Sequence, residues 1–65
     1  MKIINNTNLN YSAIGLIMEN IMLNTKGTTH YIGQIERTIL EINNHKITIT
    51  IRYIKKYVEW RFDEK

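Results

Sequence analysis

Cysteine is absent from this chain of 65 residues, so neither a disulfide nor a thiolate metal site can brace the fold. A thiol nucleophile is excluded with it. Glycine occurs three times, at positions 15, 27 and 33, too scattered to form a phosphate-cradling loop. Long apolar runs are also lacking. The longest, Ala13 to Met18 counting Gly15, falls far short of the roughly 20 residues a bilayer-crossing helix needs. The chain starts without a basic segment followed by an apolar stretch and a small-residue cleavage site, so it reads as cytoplasmic.

The chemistry of catalysis is thin as well. Ser12 and Thr38 have no base nearby in the chain. His30 and His45 lie fifteen residues apart without a recognised metal spacing, and they read as surface side chains at loop or strand ends. The acid pairs Glu36/Glu41 and Glu59/Asp63 read as solvated faces rather than as a general acid and base. The expectation is a protein that is not an enzyme and needs no cofactor or metal.

What the sequence does hold is enough apolar matter for one domain: 43% hydrophobic and 23% charged residues, with no low-complexity tract. A chain of this size buries only about 60% of the surface its unfolded form exposes. Its stability is therefore marginal, and a homo-oligomer is the expected remedy.

The strongest pattern is C-terminal. Ile47, Ile49, Ile51 and Tyr53 alternate with Thr48, Thr50 and Arg52, the period of a half-buried strand. Past Tyr53 the apolar phase switches to Ile54, Val58, Trp60 and Phe62, which demands a bulge or turn at Lys55-Lys56. A last strand over 57–62 follows, with Tyr57, Glu59 and Arg61 pointing outward.

Upstream, residues 2–5 form a short strand that stops at the turn formers Asn5 to Asn8. Asn10 can cap a helix from Tyr11 to Asn24, in which Ile14, Ile17, Met18, Ile21 and Met22 recur at the spacing of one apolar stripe. Lys26-Gly27 closes that helix. Residues 30–42 fit both a helical stripe and a strand. The turn formers Asn43-Asn44 favour the strand, at 34–42, because a hairpin there needs one, with Gly33 marking its entry or a bulge; a helix is the alternative. The fold expected is α+β: one amphipathic helix packed on a small antiparallel sheet, in the order β-α-β-β-β, as a single domain over 1–65.

Two surface features carry the functional expectations. Leu16 and Leu23 fall about 160° to 180° from the core stripe, on the outer helix face, and are the candidate oligomer interface. The net charge of +3 sits in the tail, where residues 46–65 carry six bases against three acids. Arg52, Lys55, Lys56, Tyr57 and Arg61 are the candidate ligand-binding residues: arginine forks and lysine charges suit phosphate, and an aromatic face suits a base. The plainer role of such bases is to blunt a sheet edge against aggregation.

The stretch Ile51-Arg52-Tyr53-Ile54-Lys55-Lys56-Tyr57-Val58-Glu59-Trp60-Arg61-Phe62, behind a helix and a hairpin, resembles small uncharacterised proteins of phages and mobile elements of low-GC bacteria. That resemblance implies a non-enzymatic accessory binder working in a bacterial host cell. Two readings follow. One is a self-associating binder of an anionic ligand, nucleotide or nucleic acid, using the tail. The other is a protein-interaction module, such as an inhibitor of a host defence protein.

Overall fold

The computed structural model describes residues 1–65. Its elements are β1 (Lys2–Asn6), α1 (Tyr11–Asn24), β2 (Ile35–Ile42), β3 (His45–Tyr53) and β4 (Val58–Glu64). The strands form one sheet in the order β1-β4-β3-β2, and α1 packs on one of its faces. This is the expected α+β order, and residues 35–42 are strand rather than helix. No helix is long and apolar enough to cross a membrane.

The sheet is mixed, not antiparallel throughout, because β1 runs parallel to β4. Counting chain reversals explains it. The helix returns the chain to the end where β1 began, so β2 runs in the direction of β1, β3 against it and β4 with it. Two hairpins occupy both sides of β3. Only β2 and β4 have a free edge for β1, and both run parallel to it.

Local chemistry sets each boundary. Asn10 caps α1, its side-chain oxygen accepting from the Ala13 N–H at 2.8 Å. Thr25 ends the helix, donating its hydroxyl to the Ile21 carbonyl at 3.1 Å. The last helical turn contains no base, so Lys26 lies past the cap rather than inside it, and Gly27 takes the left-handed turn at φ 84°. Asn43 and Asn44 have φ of 49° and 66°, the doubly left-handed pair that a two-residue hairpin requires. At the second reversal Ile54 and Tyr57 exchange backbone hydrogen bonds of 3.0 and 3.3 Å across Lys55-Lys56. The phase switch in the apolar pattern is thus a tight turn.

The core joins Ile14, Ile17 and Met18 of α1 to Ile47, Ile49 and Ile51 of β3 and to Trp60 and Phe62 of β4. Ile21 and Val58 are half-buried at its rim. Met22 is exposed, although its spacing assigned it to the stripe. At 100° per residue it lies about 80° from Ile14, at the stripe's edge, where the sheet no longer covers it.

Candidate functional site

The helix covers one sheet face and leaves the other bare. Strand alternation and register populate that bare face in cross-strand rows. Ile35, Arg52 and Glu59 lie opposite one another in the first row, and Arg37, Thr50 and Arg61 in the next. Arg52 and Arg61 are therefore diagonal neighbours on adjacent strands, about 7 Å apart at the backbone. Arg37 faces Arg61 across Thr50, about 10 Å away. All three guanidinium stems are long enough to reach a common point above Thr50. Ile35, Arg37, Thr50, Arg52, Arg61 and Asp63 line one shallow hollow of about 260 Å³.

Acids temper two of these arginines. Arg61 Nε lies 3.1 Å from Asp63 Oδ2, and Arg52 Nη1 lies 4.0 Å from Glu59 Oε1. Arg37 makes no ion pair. Across the whole face Lys2, Arg37, Lys46, Arg52 and Arg61 outnumber Glu41, Glu59 and Asp63, leaving it cationic.

Glu59 is not the solvated carboxylate its outward phase suggested; it is 9% exposed. The cause is its place on an interior strand, where Lys2 of β1 and Arg52 of β3 stand opposite it on either side. Removing Arg52 would leave this carboxylate without its one ion-pair partner, so Arg52 supports the fold as well as the hollow.

Of the residues singled out from sequence, Arg52 and Arg61 come together in the hollow. Lys55 and Lys56 stand apart from it, exposed at the tip of the β3–β4 turn. Tyr57 continues the outward alternation of β4 one row beyond Glu59, at the rim of the bare face, and is exposed. It is the aromatic nearest in phase, since Tyr53 and Trp60 belong to the helix side. Arg37 was missed. It lies in the stretch whose periodicity was ambiguous, and only the two-residue hairpin at Asn43-Asn44 puts it opposite Thr50.

A second polar cluster lies on the helix side, where the loop after α1 meets the sheet. His30 Nδ1 is 2.8 Å from Glu36 Oε1, a close polar contact without in-line hydrogen-bond geometry. The His30 ring stacks on Tyr53 at 4.3 Å between centroids and 7° between planes. The Tyr53 hydroxyl donates to Glu36 at 3.1 Å, and Gln34 Nε2 donates to the same oxygen at 3.4 Å. Burial, the hydrogen bond to Glu36 and the charge of that carboxylate push the Tyr53 phenol up to about 12. His30 is therefore a packed residue that pins the loop, not a surface one. His45 is exposed as expected, its Nδ1 2.7 Å from Glu64 Oε2.

Leu16 and Leu23 are 64% and 62% exposed on the outer side of α1. Leu23 joins Ile3, Met18 and Met22 along an open apolar groove between α1 and β1, and Leu16 is not part of it. No family model, curated protein or solved structure matches this chain.

Proposed function

We propose that this chain is a small, non-enzymatic, self-associating binding protein that takes a phosphate-bearing partner, a nucleotide or a nucleic-acid strand, on its bare sheet face. The observation that carries the reading is the convergence of Arg37, Arg52 and Arg61 on one hollow. A guanidinium offers a planar fork of donors that matches phosphate oxygens. The acid paired with Arg61 does not forbid this, because an exposed ion pair is worth only about 0 to 1 kcal/mol and a phosphate with several donors displaces it. Arg52 can stay beside the buried Glu59 and offer its remaining N–H donors. Arg37 has no ion-pair partner within its own copy.

With Tyr57 at the rim and no aromatic inside the hollow, the recognition rests on phosphate charge rather than on stacked bases. Binding of that kind weakens steadily as salt rises. Calorimetric titration with a nucleoside triphosphate and with a short single strand at low salt tests it: heat that fades with added salt supports the reading.

The second reading, an interaction module or inhibitor directed at a host protein, draws on the apolar groove beside Leu23 and on the outward Leu16. Such an interface would be nearly indifferent to salt. Either reading suits a short accessory protein of the phage or mobile-element kind.

A further inference from the structure

We infer that two copies of this chain join edge to edge through β2, in the one register that sets Arg37 against the second copy's Glu41, so that both sheets become continuous. This deepens the self-association proposed above and does not depend on the ligand.

The backbone phase shows what the edge offers. Tyr53 donates its N–H to the Gln34 carbonyl, and the β3–β4 ladder uses the alternate residues of β3, as at Lys46, whose carbonyl accepts from Lys65. In β2 the even positions therefore bond to β3, and Ile35, Arg37, Ile39 and Glu41 aim their N–H and C=O groups away from the sheet. Eight residues of unprotected edge are a template for another strand. The other edge, β1, is shorter and carries Lys2, Asn5 and Asn6.

The side chains then choose partner and register. A second copy related by a two-fold axis pairs antiparallel with β2, and residues directly opposite share a face. Centred on Ile39, the pairing sets Ile39 against its own copy and flanks it with two Arg37–Glu41 pairs of opposite charge. The three outward-bonding pairs supply about six backbone hydrogen bonds. Slipping by two residues in either direction sets a charge against Ile39. Slipping by four sets Arg37 against Arg37 or Glu41 against Glu41. Only the centred register pairs opposite charges while setting Ile39 against an apolar partner, and it covers Ile39, which is otherwise 59% exposed. The two arginine hollows then lie on one side of the joined sheet.

The test is native mass by sedimentation or light scattering at high micromolar concentration, without ligand. Wild type should be a dimer. Ile39→Pro should be a monomer with unchanged circular dichroism, because its N–H takes no part in the β2–β3 ladder. Arg37→Glu and Glu41→Lys should each lower the association constant at least about tenfold, since each turns both cross-strand pairs from attraction to repulsion. A mixture of those two variants should dimerise again, with opposite charges restored at both pairs. A monomeric wild type, an Ile39→Pro dimer, a mixture that fails to associate, or loss of the dimer in Leu16→Glu/Leu23→Glu with Ile39→Pro intact would each overturn the inference. Nucleotide titration of the Ile39→Pro monomer reads the ligand proposal separately, because the arginine hollow is complete in one copy.

Discussion

Replacing Ile49 by alanine probes how the two sheet faces are divided. Ile49 is fully buried on β3, flanked by Thr38 of β2 and Phe62 of β4, beneath the helix residues Ile14, Ile17 and Met18. The neighbours that close around it belong to three different elements, so they cannot collapse into the space without shifting backbone. Deleting its branched side chain should cost about 2 to 5 kcal/mol. At roughly 0.05 to 0.15 kcal/mol per residue, the whole domain holds only about 3 to 10 kcal/mol. Urea unfolding followed by the fluorescence of Trp60, with a slope of about 1 kcal/mol/M, should therefore show a midpoint lowered by about 2 M or an unfolded variant. Ile35→Ala, at a half-exposed position on the bare face, should change stability by no more than about 0.5 kcal/mol. Equal losses at the two positions, or a small loss at Ile49, would refute the division of faces on which the arginine hollow depends.

Three further outcomes follow from the same geometry. One of the four tyrosines should ionise late, near pH 12, in an ultraviolet titration, and that step should be missing in Tyr53→Phe. The native phenol holds its proton above the ordinary value of 10.0, so below about pH 10 both folded and unfolded chains are protonated and nothing is lost. As pH rises from there toward 12 the unfolded chain alone releases its proton, and wild type should lose stability over that window while Tyr53→Phe does not. Asn10→Ala should cost about 1 kcal/mol, read as a lower urea midpoint, because it removes the acceptor for the Ala13 N–H. Asn44→Val should cost about 1 to 2 kcal/mol in the same assay, since a β-branched residue resists φ 66°.

Much of the architecture was legible because local chemistry and burial agree in this chain. Asn10 and the Ile14 stripe placed α1 at its observed limits, and the alternation from Ile47 to Tyr53 placed β3 and its inward face. Two paired turns, Asn43-Asn44 and Lys55-Lys56, then implied the hairpins. What was not legible depended on pairing between distant segments. The parallel seat of β1 follows from the count of chain reversals and from which edges remain open, and no residue in Lys2–Asn6 encodes it. Burial of Glu59 follows from β4 being an interior strand, which again requires β1 beside it. Arg37 was hidden by the dual periodicity of residues 30–42, and His30 by a loop whose return to Tyr53 leaves no spacing signal. The tail's bases form one group along the sequence, yet the turn that separates Lys55 and Lys56 from Arg52 and Arg61 divides them between a turn tip and a sheet face.

The claim that the bare arginine face is the binding surface is tested most directly at Arg37, which makes no ion pair within its own copy and whose loss leaves the core untouched. Wild type, and Ile39→Pro with and without Arg37→Ala, should be titrated calorimetrically with a nucleoside triphosphate and a short single strand, at low and at raised salt. The Ile39→Pro background removes the pairing of Arg37 with the second copy's Glu41. The account predicts that wild type binds, that its log affinity falls linearly with log salt, and that adding Arg37→Ala to Ile39→Pro weakens binding about tenfold to a hundredfold at an unchanged urea midpoint. No binding by wild type at low salt, or equal affinities for the two Ile39→Pro proteins, would contradict it.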